Sequence, residues 1–469
     1  GHLGTRAFNI RIYIPKIKIQ TRENIKKIDN HRVRTDAKTG PQPAEPQASI
    51  ANICGPSRGE AAASTTLASR ETQIIPAPMR NPTYFSYFCF SNKSESMTEH
   101  IRHAHPEWSY SAVLYEMNVR QLTPEGTLKA AEAKLEFLRS IGIDAVWLMP
   151  IYPIGKEQRK GSLGSYYSIA DYCAVNPEFG SMADFDSFVA KAHALGIKVL
   201  IDWVANHTSR DAVWLRTKPA DWYEREADGA AKVPWDWTDT AKLDYSNRAV
   251  WRGQIEAMRF WVERHDIDGF RCDMAMLMPI EFWQETSAVL RAVKPDIFML
   301  AEAEELNLFD RAFDMGYAWE IHHMMCDIAK GARRVWDLRN TLYADREKYP
   351  PRAMRMMFTS NHDENTWSGS EFTRFGDALD VMTALTFLWE AAMPLIYTGQ
   401  EIGFDRSFAF FDRDPIVDYR PDRHTELYRR FVALKHGEKA LQAGERGGRM
   451  IEIENNAKDC IMTFVRETD

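Results

Sequence analysis

The chain has 469 residues, of which 45% are apolar, 12% aromatic and 27% charged, a globular composition. That length suits one large α/β barrel or two to three ordinary domains. With 59 basic and 66 acidic side chains, net −7, the charge gives no reason to expect nucleic acid as a partner.

Residues 1–96 stand apart from the rest. They carry 14 Lys/Arg against 7 Asp/Glu and 8 of the 22 prolines, and 41–71 is rich in Pro, Ala, Ser, Gly and Thr. No helical or alternating period runs through them, which predicts a disordered or loosely packed leader over 1–105. The charged, Pro-interrupted stretch Arg6 to Lys27 lacks the apolar core of a signal peptide. A natural start at Met97 is the alternative reading. Six scattered cysteines (Cys54, Cys89, Cys173, Cys272, Cys326, Cys460) match neither a zinc pattern nor a disulfide framework. Together with the missing export signal they predict a cytoplasmic protein.

From about residue 110 short apolar runs alternate with amphipathic helical patterns. Val113–Val119, Ile143–Met149, Ile197–Trp203, Gly269–Met274, Ile297–Ala301, Met354–Thr359 and Pro394–Tyr397 read as buried strands, and Ala312–Met315 as a weaker one. Leu128, Leu135, Leu138 and Ile141 share one helical face, and Trp251, Ile255, Met258 and Val262 another. Ser181 to Asp184 is a capping-box pattern ahead of Phe185 and Phe188. The most apolar stretch, Met382 to Gly399, contains Glu390 and Pro394 and reads as a packed helix followed by a strand, not a membrane span.

Eight strand candidates, most followed by a helix, predict an α/β fold of parallel βα units. A closed (β/α)8 TIM barrel over 106–436 accounts for their count and for the length. An open doubly wound sheet competes, although the absence of GxGxxG after the first strand removes its dinucleotide-binding version. Residues 204–247 form an insertion after the third strand, rich in tryptophan (Trp214, Trp222, Trp235, Trp237) and directly preceded by Trp203. A long loop there is more often functional than filler. Beyond 437 the chain has room for two or three strands, read as a truncated C-terminal β segment over 437–469.

A barrel builds its active site at the C-terminal ends of its strands. The third strand delivers Asp202, Asn206 and His207 (DWVANH), and the fourth Arg271 and Asp273 (GFRCD). The fifth ends in Glu302 (AEAEE), and the seventh in Asn361, His362 and Asp363 (SNHDEN). Any one of these acids alone is an ordinary solvated loop residue. Converging on one mouth, four carboxylates with two His and one Arg suit glycosidic bond cleavage, one acid attacking the anomeric carbon and another protonating the leaving oxygen. Aromatics near the mouth (Tyr167, Trp203, Trp235, Trp237) suit the apolar faces of sugar rings, with core packing as the competing reading. No phosphate loop, activated serine or transition-metal cluster is present.

These motifs, together with YYSIADY and VNPEFG in 166–180 and YTGQEIG (Tyr397–Gly403), make residues 112–436 resemble the α-amylase family of glycoside hydrolases (family 13). The resemblance implies Asp273 as nucleophile, Glu302 as general acid/base and Asp363 as the third acid, holding sugar hydroxyls. It implies Arg271, anchored by Asp202, as the cation that keeps the nucleophile ionised. His207 and His362 become contacts to the sugar at the cleavage site, and Tyr167 the ring stacked beneath it. An apolar flank, Met299–Ala301, and a neighbouring carboxylate are expected to raise Glu302, and a retaining mechanism sets the two acids about 5–5.5 Å apart.

The chain departs from the family where Lys and His commonly follow the nucleophile; here Met274, Ala275, Met276 and Leu277 stand. One calcium ligand is thereby missing. Asn206 and Asp244 (in KLDY) are the two candidate metal ligands left, against the six to eight oxygens calcium takes. No cofactor is required for the chemistry, with Ca2+ as a candidate structural ion. The resemblance implies a retaining hydrolase of α-1,4 links in starch-like α-glucans or maltooligosaccharides. An α-glucosidase or transglycosylase uses the same acids, since loops set the outcome. A non-catalytic glycan-binding or partner subunit is the rival of a different class, and such relatives typically lose an acid.

Overall fold

The computed structural model describes residues 10–13, 104–458 and 461–468. The chain divides into two units, 1–28 with 102–469, and 29–101. The second unit lies wholly outside the described residues, as does most of the expected leader, with Cys54, Cys89 and Cys460. The leader contributes one described strand, β1 (Ile10–Tyr13), which pairs antiparallel with β13 (Ile461–Glu467). On its other side β13 pairs with β12 (Arg449–Glu452), so the expected C-terminal segment forms a three-stranded antiparallel sheet shared with residues near the N-terminus.

Eight parallel strands close into a barrel: β2 (Leu114–Met117), β3 (Ala145–Leu148), β4 (Lys198–Trp203), β7 (Gly269–Cys272), β8 (Phe298–Ala301), β9 (Met315–Tyr317), β10 (Met354–Met357) and β11 (Ala392–Tyr397). Pairing of β11 with β2 completes the ring and excludes the open doubly wound sheet. Side chains alternate across each strand, so the apolar runs serve two cores at once. Leu114, Trp147, Leu200, Leu300, Met356 and Leu395 fill the barrel interior, while Tyr115, Val146, Ile201, Phe270 and Met299 pack outward among the helices.

The expected sixth strand is displaced: the ladder begins at Met315, not Ala312. Ala312 and Phe313 are apolar because they pack in the outer core, Phe313 against Trp283 at 5.2 Å. The expected helix from Leu128 to Ile141 is two, Leu128–Glu132 and Leu135–Ile141, the first capped by the Thr127 hydroxyl accepting the Ala130 N–H. Ser181 forms the expected capping box with Asp184, opening the helix Met182–Ala194. Leu379–Leu388 and β11 are the helix and strand expected of the most apolar stretch. Among the described residues no helix is long and apolar enough to cross a membrane.

The insertion after β4 holds a small antiparallel pair, β5 (His207–Ser209) and β6 (Thr240–Lys242). Trp214 and Trp222 meet edge to face at 5.2 Å and anchor its own small core. The helix Arg248–His265 then returns to the barrel, its Trp251, Ile255, Met258 and Val262 facing inward as their spacing predicts. Cys272 and Cys326 are buried free thiols and Cys173 is an exposed one.

Candidate active site

The two-residue period that fills the barrel interior also builds the site. Inward columns start apolar at the N-terminal end and turn ionic at the other: Leu114 then Glu116, Leu200 then Asp202, Gly269 then Arg271 then Asp273, Leu300 then Glu302. Register sets Asp202 opposite Arg271 on β4 and β7. His362 and Asp363 come from the helix His362–Trp367 after β10, whose first turn is fixed by the Asn361 side chain accepting the Glu364 N–H at 2.8 Å.

Arg271 is the hub, fully buried. Its Nη1 donates to both Asp202 oxygens at 3.0 and 3.1 Å and to Asp273 Oδ1 at 3.2 Å. Its Nη2 lies 2.8 Å from Glu302 Oε1, and its Nε donates to the Tyr317 hydroxyl at 3.1 Å. Asp273 and Glu302 are thus clasped by the two ends of one rigid guanidinium, which sets them a few ångströms apart. Asp202 is held from behind by the Trp147 indole N–H at 3.1 Å.

Three buried carboxylates contact one guanidinium here, and burial weighs on each. Burial, then the charge of Glu302, lift Asp273 well above the usual carboxylate range, against the pull of Arg271. Arg271 pulls Asp273 toward its anion, as expected, against the opposing effects of desolvation and the charge of Glu302. Burial also raises Glu302, opposed by Arg271; the neighbouring acid that adds to the rise is Asp363. Asp273 and Glu302, both raised and both in contact with Arg271, titrate as a pair.

The two histidines differ in charge. Burial drives His207 down to about 4, so it is neutral. Burial opposes charge on His362 as well, yet Asp363 and Glu116 outweigh it and hold it at about 9. Its Nδ1 meets Glu116 Oε1 at 2.5 Å and its Nε2 lies 3.2 Å from Asp363 Oδ2 and 2.7 Å from the Tyr167 hydroxyl. The Tyr167 ring stacks on His362 at 5.5 Å.

Asp273, Glu302, Asp363, Tyr167, His207 and His362 all line one open cleft of about 300 Å³. Asp202 and Arg271 support it from the barrel interior. Trp237 lines the cleft and packs on His207 at 5.2 Å; Trp235, beside it, is exposed. Trp203 is not a mouth residue: its odd position on β4 turns it outward into the core, where its indole N–H donates to Gln254 at 2.8 Å. Sequence reasoning missed Glu116, Tyr317 and Met274. Glu116 was legible as an acid inside an apolar run at the inward parity of Leu114. Met274 holds a left-handed backbone (φ 44°) from which its N–H donates to Glu302 Oε2 at 2.8 Å, a contact no side-chain type announces.

The two candidate metal ligands lie close along the chain path, the Leu243 N–H donating to the Asn206 carbonyl at 3.1 Å. Each side chain makes one contact of its own: Asn206 Nδ2 faces His207 Nδ1 at 3.2 Å, and Asp244 Oδ1 accepts the Ser246 N–H at 2.9 Å. Among the described residues no three His, Cys, Asp or Glu side chains gather as metal ligands. That donor set does not fit an ion needing six to eight oxygens.

A sequence model of the alpha-amylase catalytic domain matches residues 84–240 and 235–414. Among curated relatives, alpha-amylase MalA of Haloarcula japonica is 26% identical over 386 residues, covering 78% of this chain and 54% of that protein. Alpha-amylase 3 of Dictyoglomus thermophilum is 26% identical over 349 residues, covering 64% and 66%. The chain thus spans between half and two thirds of these relatives. The crystal structure of an alpha-amylase from Lactobacillus plantarum superposes with TM-score 0.68 at 31% identity, covering 74% of this chain and 84% of that one. With catalytic-domain similarity over most of its length and the closed barrel beneath it, this chain belongs to the α-amylase family of glycoside hydrolases.

Proposed function

We propose that this protein hydrolyses α-1,4-glucosidic bonds in starch-like glucans or maltooligosaccharides, with retention at the anomeric carbon through a covalent glycosyl-aspartate. The observation that carries the reading is the clasp of Asp273 and Glu302 on the two ends of buried Arg271, at the floor of a cleft that also holds Asp363. Asp273 Oδ attacks C1 as the Glu302 carboxyl proton passes to the leaving oxygen and the C1–O bond breaks. A water molecule then attacks C1, giving its proton to the Glu302 carboxylate while the Asp273–C1 bond breaks. One proton held between two raised acids supplies the anion and the acid that the first step needs. Charged His362 and Asp363 hydrogen-bond sugar hydroxyls, Tyr167 stacks beneath the ring, and neutral His207 is free to donate or accept. No step calls for a metal.

The test is the anomeric form of the first products from maltoheptaose, read by proton NMR before mutarotation. The α anomer supports the reading. The β anomer, or no release of reducing ends from maltoheptaose or soluble starch at any pH, refutes it, and products longer than the donor assign a transglycosylase instead.

A further inference from the structure

We propose that the cleft is closed on its donor side by a fixed strap, so that the enzyme removes a mono- or disaccharide from the non-reducing end of a short α-glucan instead of cutting within a chain. The proposal rests on the glucan-hydrolase reading above. Two loops make the strap, one following β3 (residues 155–168) and one following β11 (residues 404–414). The Leu163 N–H donates to the Phe411 carbonyl at 2.9 Å, and Ser162 donates to Asp412 Oδ1 through its N–H at 2.8 Å and its hydroxyl at 2.5 Å. Buried Arg120 bridges the loops from below, donating to the Gly164 and Phe410 carbonyls, both at 3.1 Å. Gly161 (φ 60°) lets the backbones touch, since a Cβ there would fall 2.4 Å from Phe411 Cβ.

At its other end the strap meets the insertion: Lys160 Nζ lies 3.5 Å from Asp239 Oδ1 and 3.4 Å from the Asp236 carbonyl. Lys160, Asp236, Asp239, Phe410 and Phe411 all line the cleft, so the wall runs unbroken from insertion to strap. Chemistry fixes which side this is. On the glucan-hydrolase reading the donor sugar stacks over Tyr167, whose loop is the strap itself and whose ring stacks on Phe410 at 6.3 Å. The leaving oxygen faces Glu302 and Met274, and just beyond them Met276, Leu277 and Leu306 are exposed to solvent. A volume of about 300 Å³ is at the lower bound for small-molecule pockets and suits a short stretch of sugar rings.

The experiment compares p-nitrophenyl maltopentaoside with the same compound capped by a 4,6-O-ethylidene group at its non-reducing end, products being separated by chromatography. Forcing a capped chain against a fixed wall is expected to slow cleavage about 100-fold or more, and the free chain to give glucose or maltose as the first short product. The Lys160→Ala/Asp412→Ala variant, which frees both anchors, is expected to narrow the ratio of rates. Equal rates on the two substrates in the wild type, with internal cleavage products, overturn the strap while leaving the hydrolase reading intact. No cleavage of either substrate overturns both.

Discussion

The two ends of the barrel use the same residue types to opposite effect. At the N-terminal end, Asp144, Asp268 and Asp314 each stand one residue before a strand and accept a backbone N–H from the neighbouring strand: Val113 at 2.9 Å, Val199 at 2.9 Å and Met299 at 2.9 Å. Basic side chains lie against them. Asp268 meets His193 at 2.6 Å and Lys198 and Lys294 both at 3.0 Å; Asp314 meets His105 and Arg291, both at 2.6 Å. Despite burial, His193, Lys294 and the Val199 N–H hold Asp268 well below the usual carboxylate range. At the C-terminal end Asp202, Asp273 and Glu302 share one Arg271, and all three are raised. The base acids pin neighbouring strands through backbone N–H groups, while the buried rim acids crowd together around Arg271 and are raised.

The largest expected effect breaks that contrast at the rim. Asp273→Asn or Glu302→Gln should lower turnover of maltoheptaose by about 10⁴-fold or more. Because each substitution removes one of the carboxylates crowding Arg271, the melting temperature at pH 7 should stay level or rise. A rim variant that unfolds instead of merely losing activity would show that these acids are structural.

Next in size is the converse at the base. Asp268→Ala leaves His193, Lys198 and Lys294 facing an empty site and should cost about 3–5 kcal/mol by urea unfolding. Its activity per folded molecule should be unchanged. The pH sign is set by a folded-state pKa below the unfolded one: the contribution of Asp268 is present above about pH 4 and is lost as pH falls through the folded value. The wild type should therefore lose more stability than Asp268→Ala on acidification.

How much of this was legible follows from what each signal measures. The barrel strands are buried on both faces and so read as continuous apolar runs, which is why seven were found near their true bounds. The same signal misplaced the sixth, because Ala312 and Phe313 owe their apolarity to outer-core packing. The acids that line the cleft were legible as polar residues at strand tips, and Trp203 misled because residue type does not reveal which way a side chain turns; only parity along β4 does. The alternation of Ile10, Ile12 and Ile14 is a short strand pattern, but nothing local names β13 as its partner. The charge state of Asp273 was out of reach altogether, since it depends on how many carboxylates one guanidinium must serve.

Within the rim, the two histidines sharpen the comparison further. His362 is held at about 9, above its unfolded value, so its ion pairing stabilises the protein fully below about pH 6.5 and is lost as pH rises through 9. The stability of the wild type should fall across that window by roughly 2 kcal/mol more than that of His362→Asn. His207, neutral throughout, should give no such difference when replaced by Asn. A flat wild-type profile from pH 6.5 to 10 would refute the charged state of His362.

The smallest expected effect is none. If the rim worked through a bound divalent ion, its charge would offset the shortage of cations that lifts Asp273 and Glu302, and removing it would move both stability and the pH profile. The residues nearest to such a role, Asn206 and Asp244, offer two side chains against the six to eight oxygens calcium takes, and among the described residues no three His, Cys, Asp or Glu gather to add to them. We therefore expect dialysis against EDTA to leave the melting temperature and the rate on maltoheptaose unchanged, and added calcium to restore nothing. A fall in melting temperature reversed by calcium would place a cation beside the insertion and require the charge balance of the rim to be redrawn around it.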